Sequence, residues 1–391
     1  MSSELGLFWL LLPLAAALSW YIARRGSERD SGAQVSRLRS TYFRGLNYLL
    51  NEQPDKAIEV FLQIAAVDRD TVETHLALGN LFRRRGEVDR AIRVHQNLIS
   101  RPTLSPEQKT QALLELGEDY MRAGLLDRAE TLFTDLVAID ARAPSALKHL
   151  IAIYQQERDW HKAIDHARRL EAATGDSQGG LIAQYYCELA EHARQRKDFD
   201  SARRYLAEAF ACRPGFARGL LIAGRMAMDQ GDFEGAIDAF SRMVDEEVDY
   251  VPEILAPALT CFERLEQPAR ARRFLDDLAE RYQGVSPVLA MSRLLLREQG
   301  ERAAVDYLTA QLRRKPSVRG LLALVEVSLR TASQESGANL EILDELLKKL
   351  LEGQPGYRCT RCGFGARSHH WQCPSCKTWD SVRPIHGVAG D

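Results

Sequence analysis

The residues of this chain best placed to do chemistry are four thiols near its end. Cys359 and Cys362, then Cys373 and Cys376, form two CxxC pairs separated by ten residues. Each CxxC lets one tight turn present two thiolates to a single ion, and four thiolates close a tetrahedron. Gly363, directly after the first pair, permits the positive φ that such a turn uses. Thiolate-only ligation suits Zn²⁺ or Fe. Nothing in the rest of the chain resembles a redox partner, so one structural zinc is the expectation and an iron electron carrier the alternative. Residues 355–391 have almost no core of their own. The metal must hold them, and structural zinc contributes on the order of 10 kcal/mol to folding. Tyr357, Phe364, Trp371 and Trp379 are expected to supply a small packed shell around it. His369 and His370 stand nearby, but the cysteines already complete the tetrahedron.

Other candidates for chemistry are sparse. Cys187, Cys212 and Cys261 are scattered through helical sequence and read as buried thiols. An odd total of 7 cysteines with one paired cluster argues for a reducing compartment rather than a disulfide framework. The sequence has no HExxH, no Walker A loop, no Gly-x-Ser-x-Gly elbow and no glycine-rich dinucleotide turn. His161 and His166 are five apart, a poor spacing for one helix face, and read as surface residues. A catalytic site is not expected. The net charge of −2 gives no general attraction to nucleic acid. The basic runs Arg83-Arg84-Arg85 and Arg313-Arg314-Lys315 have acids close by and read as solvated faces.

The elements that must carry the thiols are repeats. The sequence matches itself at a period near 34 residues, the length of a tetratricopeptide (TPR) unit. Gly45, Gly79 and Gly117 precede Ala57, Ala91 and Ala129 by twelve residues. Tyr48, Phe82 and Tyr120 follow the glycines by three, and Phe61, His95 and Phe133 follow the alanines by four. Later units keep the frame at Tyr154/Ala163, Ala193/Ala202, Ala227/Ala236/Phe240, Phe262/Ala271 and Leu295/Ala304. Small residues let the two helices of a unit approach, and aromatics fill the gap to the next unit. Pro214 and Pro316 close second helices. The fold class is therefore mainly α: an α-solenoid of about eight units over residues 41–317, a degenerate terminal helix pair over 318–352, and the metal knuckle at 355–391. Stacked units leave a groove, and the frame turns Asn80, Arg83, Glu118, Gln155 and Arg225 toward it as candidate partner-binding residues.

At the other end, Leu5 to Ala23 is free of charge and rich in Leu, Ala and aromatics. As a helix it would span about 28 Å, close to the hydrocarbon thickness of a bilayer. Trp9, Trp20 and Tyr21 sit where amphipathic rings favour the interface. A cleaved signal would need a positive charge ahead of the apolar run, where only Glu4 stands. Residues 1–23 therefore read as a transmembrane anchor. Arg24, Arg25 and Arg29, in the basic linker 24–40, place the bulk of the chain in the cytoplasm by the positive-inside rule.

This order of parts, with segments such as HLALGNLFRRRGEVDRAIRVHQ, QYYCELA and YRCTRCGF…WQCPSCKTWDSVRPIHG, resembles the lipopolysaccharide assembly protein B family (LapB, also called YciM) over nearly the whole chain. The resemblance implies a rubredoxin-like C-terminal domain in which the four cysteines match the family's metal ligands. It also implies a single-pass regulator of the Gram-negative inner membrane. Such an adaptor would help the membrane protease FtsH degrade the LpxC deacetylase, with a regulatory inner-membrane protein as a further partner. A scaffold that gathers lipopolysaccharide assembly proteins without delivering a substrate is the nearest alternative.

Overall fold

The computed structural model describes residues 41, 43–48, 50, 51, 53–67, 72–139, 143–330, 332, 334–388, 390 and 391. The expected anchor and its basic linker lie outside the described residues. Among the described residues no helix is long and apolar enough to cross a membrane. The chain divides into two compact units, at Gly175 and Asp176.

In the first unit, helical residues 43–48 precede α1 (Pro54–Val67). Helix hairpins follow: α2 (Val72–Arg85) with α3 (Val88–Ile99), α4 (Pro106–Arg122) with α5 (Leu126–Ile139), and α6 (Ala143–Glu157) with α7 (Trp160–Thr174). Local sequence fixes the helix ends. Ser105 and Gln108 form a reciprocal capping box behind Pro106, and Gly175 closes α7 in the left-handed region.

The period-34 pattern has a direct packing cause. A Cβ on Gly45 would lie 2.9 Å from the Phe61 ring, one on Gly79 2.2 Å from His95, and one on Gly117 2.5 Å from Phe133. Each glycine in a first helix thus seats the ring of its own second helix, four residues beyond the fully buried Ala57, Ala91 or Ala129. The sequence pattern assigns these rings to the gap between units. They sit first inside their own hairpin, and Phe133 also stacks on His149 of the next one, 4.7 Å between centroids.

The second unit continues with α8 (Gly179–Gln195) and α9 (Phe199–Cys212), α10 (Ala217–Asp229) and α11 (Phe233–Glu246), then a 3₁₀ turn, Val248–Tyr250. Next come α12 (Val251–Arg264) with α13 (Pro268–Arg281), α14 (Ser286–Gln299) with α15 (Glu301–Arg314), and α16 (Val318–Leu329) with α17 (Gln334–Leu351). Asp198, Asp232 and Ser317 cap their helices with side-chain oxygens. The glycine seat recurs where Gly224 holds the Phe240 ring. One continuous core runs through Leu221, Phe240, Met243, Tyr250, Ile254, Leu275 and Tyr282. Trp371, from the C-terminal knuckle, packs against that core. The knuckle itself is a three-stranded antiparallel sheet in the order β2–β1–β3: β1 Tyr357–Cys359, β2 Gly365–Ala366 and β3 Val382–Pro384.

Candidate metal centre

Two turns with the same hydrogen-bond pattern present the thiols. In the first, the Gly363 amide donates to the Cys359 carbonyl (3.0 Å) and the Cys359 amide to the Phe364 carbonyl (2.8 Å). In the second, Lys377 donates to Cys373 (2.9 Å) and Cys373 to Thr378 (2.9 Å). Each turn needs a left-handed residue just after its second cysteine: Gly363 has φ 77° and Lys377 has φ 57°. A side chain in that region costs about 1–2 kcal/mol, whereas glycine there costs mainly unfolded-state entropy. Lys377→Gly is therefore expected to stabilise the knuckle by about 0.5–1 kcal/mol. Denaturation midpoints of the metal-loaded chain would measure this, and an unchanged or lower midpoint would contradict the account.

All four Sγ atoms lie within 4.8 Å of one another. Two pairs cross between the turns: Cys359 with Cys376 and Cys362 with Cys373, each at 3.7 Å. A tetrahedral ion with metal–sulfur bonds of about 2.3 Å requires sulfur–sulfur edges of about 3.8 Å. The donor set fits one thiolate-bound ion, which would cross-link the two turns. Cys359 and Cys373 are buried, Cys376 is half-buried and Cys362 is exposed. The hydroxyl of Ser381 lies 3.4 Å from the Cys359 sulfur, and that of Thr378 lies 3.3 Å from the Cys376 sulfur. The Ser381 contact draws the Cys359 thiol down to about 6, and the Thr378 contact also lowers Cys376. Burial pushes Cys373 up to about 11. His369 and His370 fall outside the cluster.

The aromatic shell predicted for the knuckle divides in two. Tyr357 and Phe364 pack on the buried cysteines and Val382. Trp371 and Trp379 instead face the repeats, because the knuckle is docked on α8 to α14 rather than free-standing. Arg218 of α10, 5% exposed, stands over both tryptophan rings at 5.4 Å. Its guanidinium donates to the Gln184 side chain (2.9 Å) and to Glu188 (2.5 Å) on α8. Tyr185 meets Trp379 edge-on. On the next repeat, Tyr250 donates to Asp380 and touches Trp371, while Arg383 pairs with Glu247 (2.6 Å) and covers the Tyr250 ring. Tyr357 donates to Glu253 (2.8 Å), and Tyr282 and Ser286 both donate to Asp391. Tyr250, Tyr282 and Tyr357 all have their hydroxyl pKa raised, first by burial and then by the carboxylate each one meets.

His369 lies inside this interface, against Tyr250, Tyr357 and Trp371. Burial, with Arg383 next in effect, drives its pKa down to about 4. The folded state therefore favours the neutral ring, while the unfolded chain takes up a proton near 6.5. Stability of the docked knuckle is expected to fall as pH drops from about 6.5 toward 4. His369→Phe removes that part of the slope, which paired pH–denaturation curves of parent and variant would show. Identical slopes would remove His369 from the account.

The five groove positions fall in different units and different surroundings. In the first unit Arg83 is not a free cation. It donates to the Asp119 carboxylate (2.8 Å), to the Glu115 carboxylate (2.7 Å) and to the Glu115 carbonyl, and it pairs with Glu118 (2.8 Å). Glu118 in turn meets His149 at 3.3 Å, and that contact comes first among the causes lowering its pKa. Arg83, Glu118 and His149, with Arg84, Met121 and Arg122, line an open cleft of about 610 Å³. Asn80 is half-buried, with its side-chain oxygen lacking a hydrogen bond among the described residues, and Gln155 is half-buried and engaged. Arg225, in the second unit, is half-buried and lies close enough to Glu191 to lower its pKa.

Sequence reasoning missed the deepest part of this network. Asp119 is fully buried between Arg83 and His95, whose Nδ1 lies 2.6 Å from it. The signal was present, since His95 stands where Phe61 and Phe133 stand in neighbouring units. Its Nε2 faces Gly79 and lacks a partner among the described residues, so Nδ1–H donates to Asp119. The basic runs are likewise only partly solvated. Arg84 and Arg85 are exposed, but Lys315 donates to the carbonyls of Ala279 and Tyr282. His161 is exposed, while His166 is largely covered by Tyr154 and donates to the Lys162 carbonyl. Cys187 and Cys261 are buried, and Cys212 is half-buried.

Tetratricopeptide hairpins with a four-thiol knuckle clamped onto them define a repeat protein with a built-in rubredoxin-type metal site. Residues 357–384 match the family described as rubredoxin metal binding domain, and residues 74–110 and 187–250 match tetratricopeptide repeat families. The chain is 38% identical to lipopolysaccharide assembly protein B of Escherichia coli K12, over 99% of this chain and all of that protein. It is 34% identical to the protein of the same name from Haemophilus influenzae, over 97% of this chain and 98% of that one. A solved tetratricopeptide repeat protein from Parabacteroides merdae aligns at 12% identity and a TM-score of 0.36, over 79% of this chain and 98% of that one. The chain belongs to the lipopolysaccharide assembly protein B family.

Proposed function

We propose that this protein is a non-catalytic adaptor in lipopolysaccharide assembly, held at the inner membrane by residues 1–23 with its repeats on the cytoplasmic side. In this reading it promotes degradation of the LpxC deacetylase by the membrane protease FtsH, under the influence of a regulatory inner-membrane protein. The observation that carries the adaptor reading is the interlock of knuckle and repeats. A metal-bound clasp pinned across several hairpins fixes the surfaces on which a partner would be held, and offers no open coordination position for a substrate. The near full-length likeness to proteins named lipopolysaccharide assembly protein B supports the pathway. Confining two proteins to one membrane patch raises their effective concentration without new chemistry.

The ion is structural zinc in this proposal. Four closed thiolate positions give zinc a folding role, and metal analysis of the purified chain is expected to find one zinc and no visible colour. A red iron–thiolate spectrum would favour the electron carrier instead. The adaptor step is tested by depleting the protein and following the deacetylase through a chase. Its lifetime is expected to lengthen several-fold. An unchanged lifetime would leave only the scaffold reading.

A further inference from the structure

The last helix of the second unit exposes an apolar face. Leu347 of α17 is buried, and α17 packs on α16. Ile342, Leu346 and Leu350, however, are 59%, 58% and 56% exposed. Their four-residue spacing places them in one line along the helix. A terminal repeat needs a polar outer surface to remain soluble, and this one has an apolar stripe where the next repeat of a solenoid would stack.

We propose that this stripe binds a second copy of the chain, α17 against α17, antiparallel about a two-fold axis through Leu346. The charges beside the stripe set both the partner and the direction. Glu341, Glu345 and Lys349 flank it on one side, and among the described residues none of their side chains has an ion-pair partner. Lys348, by contrast, is already satisfied by Asp344 and Glu326. With a rise of about 1.5 Å per residue, Lys349 lies about 4.5 Å beyond the axis. On the second copy, Glu345 and Glu341 then lie about 1.5 Å and 7.5 Å along on that same side of the axis. Each lysine falls between two carboxylates of the other copy, while Ile342 faces Leu350 and Leu346 faces itself. Parallel pairing would instead turn Glu341, Glu345 and Lys349 of one copy toward the opposite flank of the other, Leu343 and Leu347, and bring no carboxylate to the lysine. The contact is isologous, so it closes at two copies. One helix pair is a small interface, so the dimer is expected to be weak in dilute solution.

Disulfide trapping on the full chain tests the pairing and its direction, with the parent chain and Asp238→Cys on another surface as controls. Leu346→Cys is expected to form a homodimer on mild oxidation. Ile342→Cys alone is not, because its copies would be about 12 Å apart along the helices. A mixture of Ile342→Cys and Leu350→Cys is expected to cross-link. Lys349→Glu is expected to weaken dimerisation about five- to ten-fold, measured by sedimentation of the full chain in detergent. Mixing it with Glu341→Lys/Glu345→Lys is expected to restore pairing. All substituted side chains are exposed, so unchanged helicity and metal content confirm folding. The proposal is overturned if Leu346→Cys captures only another protein, if it stays monomeric, or if Ile342→Cys cross-links to itself as readily.

Discussion

Arg218→Ala is expected to release the knuckle from the repeats while leaving its metal bound. Arg218 stands over both Trp371 and Trp379, and its guanidinium also holds Gln184 and Glu188. Truncation would leave the Gln184 side-chain oxygen without its donor and Glu188 without its cation. Gln184 is 1% exposed and the Glu188 side chain 30% exposed. Breaking a buried pair of this kind costs about 3–5 kcal/mol, and a desolvated cation–π contact about 2 kcal/mol. The partial exposure of Glu188 argues for the lower end, about 3 kcal/mol in all. Arg218→Lys keeps the charge but loses the planar fork, so it is expected to recover only a minor part. Hydrogen exchange over 371–384 should accelerate at least a hundred-fold if docking is lost, following from about 3 kcal/mol. Metal content should stay at one ion per chain. Unchanged exchange over that segment would show that Asp380, Arg383 and Tyr357 hold the knuckle without Arg218.

The second large effect is expected from the metal. Cys373→Ser removes the buried thiol that lies 3.7 Å from Cys362, leaving three ligands and an open coordination position. Structural zinc supplies on the order of 10 kcal/mol to a site of this type, so the sheet of β1, β2 and β3 is expected to unfold. The repeats have their own cores, and far-UV helicity is expected to stay nearly unchanged. The structure adds a consequence that the isolated CxxC motif does not carry. The residues that meet Arg218, Tyr250 and Glu247, from Trp371 to Arg383, flank the second thiol pair, so losing the metal also removes those partners. Those helices should then show faster exchange and a lower unfolding midpoint, even though none of them touches the ion. A normal midpoint for the second unit in the metal-free variant would show that the clasp does not stabilise the repeats. Chelation of the parent chain should reproduce the variant, and restoring zinc should reverse only the chelated sample.

The two effects have causes at different distances along the chain. The thiol cluster was readable because four-thiolate ligation is a local constraint. Each CxxC is a tight turn, and its hydrogen bonds run within about five residues. The helix hairpins were readable for a similar reason, since glycine and alanine at fixed offsets report a close approach inside one unit. The seat of Phe61 on Gly45 and of Phe133 on Gly117 is the physical form of that repeat.

What the sequence could not carry were contacts set by long-range stacking. Arg218 reads as one more arginine in a helix, and only the fold places it between Trp371 and Trp379, more than 150 residues later. Arg83 reads as a groove cation within a basic run, yet the neighbouring hairpin sets Glu115, Glu118 and Asp119 around it. Packing periodicity dictates the helix hairpins and ligand chemistry dictates the four-thiol site, and both are written into the residue order. That the knuckle is a clasp rather than an appendage emerges only once the hairpins stack. The physical reason is that buried charge and aromatic surface are stable only against particular partners, and those partners are chosen by how the units stack.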